Sequence, residues 1–169
     1  MKISIAIKVI AACAGAVWAA STFSATEPVQ VKDAWVRTTV PGQKGTGAFM
    51  KITAQAGTRL VGVSSAVAGV AEVHEMKMEG DVMKMRAVPA LELPAATMVE
   101  LKPGGYHVML MDLKQALPKG STVALTLSFK DSKGIENRLE LKVPVAVSAP
   151  GSPAGAAKSG EQGHGGHVH

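Results

Sequence analysis

Between Val29 and Val147 the chain is cut into short apolar or alternating runs, and no stretch sustains capped helical spacing for about ten residues. The runs are Val29–Thr38, Thr46–Ala54, Arg59–Val67, Ala71–Met78, Val82–Val88, Met98–Leu101, Tyr106–Asp112, Thr122–Lys130 and Ile135–Val145. Turn residues fill the gaps, as in Pro41-Gly42, Glu79-Gly80-Asp81, Leu93-Pro94, Pro103-Gly104-Gly105 and Asp131-Ser132-Lys133-Gly134, so each run reads as a strand. About eight or nine strands at such spacing predict an all-β domain, an antiparallel sandwich or barrel. With 169 residues the chain can bury one core of that kind.

The two ends differ from this middle. Lys2 and Lys8 precede Val9-Ile-Ala-Ala-Cys-Ala-Gly-Ala-Val-Trp-Ala-Ala20, an apolar run too short to span a membrane. Small residues follow at Ser21, Ser24 and Ala25, which is the order of a cleaved secretory signal peptide, so residues 1–25 are set apart from the fold. Ile10-Ala-Ala-Cys13 also resembles a lipoprotein processing box, but Lys8 interrupts the apolar stretch such a box needs in front of it, and soluble export to the periplasm is the expectation. Residues 148–169 begin with a Pro, Gly, Ser and Ala-rich linker and end in His164-Gly-Gly-His167-Val-His169. The domain is expected to occupy residues 26–147.

Export changes the chemistry that remains. The one cysteine, Cys13, lies in the leader, so the mature chain has no disulfide, zinc finger or thiol nucleophile. Of 18 Lys+Arg, Lys2 and Lys8 are also lost, leaving 16 against 13 Asp+Glu and a net charge of +3. No basic run follows a phosphate backbone, which argues against nucleic acid. Gly42-Gln-Lys-Gly45-Thr-Gly47 precedes a strand instead of a helix and is read as a flexible turn, and Trp35 as a core anchor.

Three of the five histidines belong to the tail, so the domain holds only His74 and His107, each among methionines. The first leads through His74-Glu-Met76-Lys-Met78 and Glu79-Gly80 into Asp81-Val-Met83-Lys-Met85, which is hairpin spacing. With Glu79 and Gly80 as the loop, Met78 faces Asp81, Met76 faces Met83 and His74 faces Met85. Opposed Cβ atoms stand roughly 4.5–5.5 Å apart, close enough for an imidazole and a thioether to converge on one ion. In the second run, alternation places His107, Met109 and Met111 on one face and Val108 with Leu110 on the other. Two imidazoles and two thioethers, without thiolate or converging carboxylates, suit Cu(I) far better than Mg, Ca or structural zinc. The plainer reading is methionine as core filler and histidine as a hydrogen-bonded core residue.

The spacing His74, ten residues, Met85, twenty-one residues, His107-x-Met109 resembles that of the PCuAC family of periplasmic copper chaperones. A chain of this His and Met content meets that spacing by chance roughly 3 times in 10,000. Asp33-Ala-Trp-Val-Arg37, Gly47-Ala-Phe-Met50, Val73-His-Glu-Met76 and Lys102-Pro-Gly-Gly-Tyr-His-Val-Met-Leu-Met111 are also similar to that family's segments. The resemblance implies a cupredoxin-like β-sandwich that holds Cu(I) through His74, Met85, His107 and Met109. It further implies delivery of copper to respiratory cytochrome oxidase, either to the CuA-bearing subunit or through another assembly factor. Met76, Met83 and Met111 are auxiliary candidates. His164, His167 and His169 resemble the extensions of some members, and imidazole without methionine suits Cu(II) there. The expected class is a non-enzymatic metal carrier, because a blue-copper site needs a Cys thiolate. A copper buffer for tolerance shares the same site chemistry, and the sequence does not separate the two.

Overall fold

The computed structural model of the chain describes residues 28–152; the expected leader and the His164, His167 and His169 tail lie outside them. Ten strands follow in order: β1 (Val29–Arg37), β2 (Gly45–Ala54), β3 (Thr58–Ser64), β4 (Val70–Glu79), β5 (Val82–Ala87), β6 (Leu91–Leu93), β7 (Met98–Leu101), β8 (Tyr106–Met111), β9 (Thr122–Asp131) and β10 (Glu136–Ala146). One more strand is present than the sequence suggests. The extra strand, β6, is three residues between Pro89 and Pro94, too short to show an alternation.

Hydrogen bonds connect the strands along one path, β5-β4-β8-β2-β1-β10-β9-β3-β6, with β7 paired to β2 off that path. The path folds over between β1 and β10. Val36, Met50, Ile52, Val108 and Leu110 from one layer and Leu60, Val123, Leu125, Leu127 and Val143 from the other share a single buried cluster, which makes the domain a β-sandwich. At the joint β1 and β10 run parallel, through Val36↔Val145 and Arg37↔Ala146, whereas the other paired strands among the described residues are antiparallel. Parallel neighbours need a long connection, and almost the whole domain lies between these two.

A bulge in β1 decides which face Trp35 takes. Lys32 pairs with Lys51, but Trp35 pairs with Phe49, so one extra residue is accommodated between them. Asp33 sits there at φ 51°, a left-handed conformation that Asp tolerates better than most residues, and its carboxylate accepts a 2.7 Å hydrogen bond from Lys51 Nζ. Uninterrupted alternation from Val29 and Val31 would send Trp35 into the core. The bulge instead turns Val36 inward and Trp35 outward. Trp35 is buried at 4% exposure, yet it belongs to a separate cluster on the outer face, stacked on Phe49 at 4.6 Å between ring centroids. The core-anchor expectation is corrected accordingly.

Candidate metal centre

His74 on β4 and His107 on β8 are directly opposed in register, and their ring centroids are 6.0 Å apart. Both rings project from the face opposite Val73 and Val108, away from the core, and both are nevertheless buried, at 9% and 6% exposure. Part of the cover is aromatic. Phe49 lies 6.4 Å from the His107 ring, and the Arg37 guanidinium stands 5.3 Å over the Phe49 ring. Phe49 can lie this low because residue 47 is glycine: a Cβ at Gly47 would come within 2.7 Å of the end of the Phe49 ring.

The ring nitrogens divide into held and free. His107 Nδ1 lies 3.0 Å from the Gly105 carbonyl, which can only accept, so Nδ1 carries the proton and Nε2 keeps its lone pair. The same carbonyl accepts the Met76 backbone N–H at 3.1 Å, tying β4 to this corner. His74 Nε2 lies 3.1 Å from a Glu72 carboxylate oxygen and donates to it, which in the neutral ring puts the lone pair on Nδ1. That Nδ1 is buried with no hydrogen-bond partner. An orphaned buried ring nitrogen on one of two opposed imidazoles is what a ligand pair open to an electrophile presents. It also disfavours the satisfied-core-histidine reading for His74.

The thioethers are placed with one correction. Met109, two residues beyond His107, opposes Glu72 on β4 and Gly47 on β2, on the histidine face. The β4–β5 hairpin, however, closes through Glu79↔Val82 with Gly80-Asp81 as its loop, so Met76 faces Met85, Met78 faces Met83 and His74 faces Ala87. The expected His74–Met85 opposition is off by two positions. Gly80 at φ 64° explains it, since the loop forms where a residue can take that conformation without strain. A shift of two preserves the face. Met85 is therefore the diagonal neighbour of His74, roughly 7–8 Å away between backbones and within reach of a long side chain. The small Ala87 leaves the space between them open. Met76 stands one rung along β4 beside both, Met83 one rung farther out, and Met111 opposes Val70 beyond Met109 at the other end.

Glu72 and Gly105, which hold the two imidazoles, did not stand out from the sequence. Glu72 was legible in principle, because a residue two before His74 on a strand shares its face. The Gly105 contact depends on backbone geometry and leaves no signature. On the reverse face, a row of Arg86, Glu75 and Tyr106 crosses β5, β4 and β8. Arg86 donates to a Glu75 carboxylate oxygen at 2.7 and 3.0 Å and holds that carboxyl below its ordinary range, while burial, then the Glu75 hydrogen bond, raises the Tyr106 phenol. This row braces the sheet from behind.

Two free imidazole nitrogens with neighbouring thioethers form a soft-to-borderline donor set. Among the described residues no three His, Cys, Asp or Glu side chains converge as a metal cluster, so no hard-cation cage competes there. Known proteins share this architecture. The Leifsonia xyli subsp. xyli protein Lxx21020, which bears a lipoprotein name, is 34% identical over 104 residues, covering 61% of this chain and 63% of that protein. The chain thus spans less than two thirds of that relative's length. The copper(I)-bound solution structure of DR1885 from Deinococcus radiodurans is 32% identical with a TM-score of 0.56, covering 75% of this chain and 84% of that one. The copper-bound PCuAC domain from PmoF2 is 26% identical with a TM-score of 0.54, covering 72% and 97%. A sequence model of the LpqE-like family matches residues 29–145, nearly the whole sandwich, and the chain belongs to that family, with a domain of the PCuAC type.

Proposed function

We propose that this protein is an exported copper chaperone that holds Cu(I) through His74, Met85, His107 and Met109 and passes it to an acceptor protein. The observation that carries the reading is the opposed pair of histidines, each with one nitrogen anchored and the other free, on a face that also bears Met109 and Met85. Neutral thioethers bind Cu(I) without the proton competition that thiolates face, and Met85, at 49% exposure, can be replaced first by a recipient's ligand. The copper-bound states of DR1885 and the PmoF2 domain support copper as the cargo. The recipient is respiratory cytochrome oxidase, at its CuA centre, and the His164, His167 and His169 tail adds a weaker Cu(II) site.

Anaerobic Cu(I) titration of the mature protein tests the reading: one tight equivalent on the domain with mixed nitrogen and sulfur scattering in X-ray absorption supports it, and an oxygen-only shell overturns it. Mixing with an apo CuA domain then reads transfer. In cells, a deletion strain that loses oxidase activity at low copper and recovers with added copper marks a donor. Copper sensitivity with unchanged oxidase activity marks the alternative, a sequestering protein.

The lipoprotein name of the family and of the Leifsonia relative favours a second reading of the leader alone, with lipidated Cys13 anchoring the chain. The mass of the mature protein separates the two, since cleavage after Ser21 or Ala25 leaves no cysteine to lipidate.

A further inference from the structure

The β4–β5 hairpin has two solvent-facing sides of opposite character. One side carries Glu75, Lys77, Glu79, Lys84 and Arg86, with ion pairs Arg86–Glu75 and Lys84–Glu79 both at 2.7 Å. The other carries Met76, Met78, Met83 and Met85, with no charged residue on that face of the strands beyond His74. An apolar side normally earns its place by packing, but none of these four methionines belongs to the core cluster, and every residue of β5 is exposed. Met78, Met83 and Met85 are 55%, 45% and 49% exposed. Core filling, the ordinary use of methionine, does not account for them.

Their pairing is the closest a hairpin offers. The Val88 N–H bonds the Val73 carbonyl, and the Met76 N–H points away from β5 to Gly105. Even-numbered residues of β4 therefore occupy the non-hydrogen-bonded positions toward β5, where opposed Cα atoms approach to about 4.5 Å and side chains come nearest. Met78↔Met83 is one such pair and Met76↔Met85 the next.

We propose that Met78 and Met83 form a second binding site for a soft monovalent cation, Cu(I), distinct from the His74, Met85, His107 and Met109 site. Two neutral thioethers held face to face favour a d10 ion of low charge and offer little to Zn(II), Mg or Ca. Met76 and Met85 form the next rung on the same face, between the outer pair and His74, so an ion leaving the outer pair meets another thioether before it meets an imidazole. The outer pair stands at the exposed tip of the hairpin, where a copper donor or recipient makes first contact.

The test is silver(I), a redox-inert stand-in for Cu(I), added to the mature chain labelled with 13C at the methionine ε-methyl groups, with the titration repeated using anaerobic Cu(I). Met98 on β7 is a solitary methionine of similar exposure, 57%, and serves as the internal control. The Met78 and Met83 methyl signals should move together and saturate, with a midpoint at least about tenfold below that of Met98, the least gain expected when a second donor is held on one scaffold. Met78→Leu keeps the apolar volume and should abolish the Met83 response while leaving the Met109 response intact. In a His107→Ala, Met109→Ala double variant the outer pair should still respond, which separates this site from the failure or success of the inner one. Outer methyls that move no more than Met98, or a Met83 response that survives Met78→Leu, overturn the proposal. So does a response lost with the inner site, or one seen only on adding an apo acceptor domain, which would make the face a protein-docking surface.

Discussion

Strand β8 and the β4–β5 hairpin each bring histidine and methionine to the same face, but the sheet holds them very differently. β8 lies between β4 and β2, and its alternate residues Val108 and Leu110 are fully buried in the core, so the backbone under His107 and Met109 is fixed from both sides and from below. Among the described residues β5 has one strand partner, ends the hydrogen-bonded path, and buries nothing. Its Lys84 and Arg86 are the kind of charge that keeps an open strand edge from pairing with another chain. One half of the candidate site is therefore set by the core, while the other rests on a hairpin of low contact density, the part of a fold that opens most readily. For a carrier this division is useful: the buried half gives the geometry and the exposed half gives a way out.

The largest expected effect falls on the fixed half. A His107→Ala, Met109→Ala double variant should weaken Cu(I) binding by more than about 100-fold, beyond the 10–100-fold typical of losing an outer-shell partner, as read by competition with a chromophoric Cu(I) chelator. A loss smaller than about tenfold, from the removal of two ligands, would mean that the hairpin alone holds the ion.

Next is the wall beside it. Gly47→Ala sets a methyl group 2.7 Å from the Phe49 ring, and displacing that ring from its place between Trp35 and His107 should cost about 1–3 kcal/mol in thermal or denaturant unfolding. An unchanged midpoint would show that the aromatic cover is not packed against β2 as tightly as β8 is.

On the exposed half, binding and stability should separate. Met85→Ala should lower Cu(I) affinity while changing apo stability by no more than about 0.5 kcal/mol, because a half-exposed side chain leaves no cavity. A large fall in the apo melting temperature would make Met85 a packing residue and erase the contrast with β8.

The smallest effect concerns the bulge that brings Trp35 to this face. Asp33 raises the Lys51 pKa above its ordinary 10.5, first through the hydrogen bond and then through its charge. A raised folded value means that the contribution is complete below the ordinary value and is lost as pH rises through the folded one. Fluorescence of Trp35, recorded on residues 26–169, which lack Trp18, should hold steady past pH 10.5 and change only above it. In Lys51→Met that alkaline step should disappear.

The face of each candidate ligand within the sandwich was legible in the sequence, because alternation along a strand fixes side-chain direction two residues at a time. His107 and Met109 needed nothing more. Met85 also kept its face when the hairpin register moved by two, since a slip of two conserves the side and changes only the partner. The partner itself was not legible: Glu79-Gly80 and Gly80-Asp81 are both acceptable two-residue loops by composition, and the choice follows from where the backbone takes a positive φ. Trp35 was misplaced for a related reason. Alternation from Val29 and Val31 puts it on the core face, but the bulge at Asp33 inserts one residue, and a slip of one exchanges the faces.

Sequence alone thus determined the residue types available, their periodicity, and hence an all-β sandwich or barrel with a soft donor set on one side of three of its strands. Tertiary structure decided what local spacing cannot encode. It set His74 against His107 across β4 and β8, thirty-three positions apart in the chain. It fixed which nitrogen of each ring is held, by Glu72 and by the Gly105 carbonyl, and it placed four methionines of the hairpin outside any core. The physical reason is that periodicity is a property of neighbours along the backbone, whereas cross-strand register and ring tautomer are settled by hydrogen bonds between residues that only folding brings together.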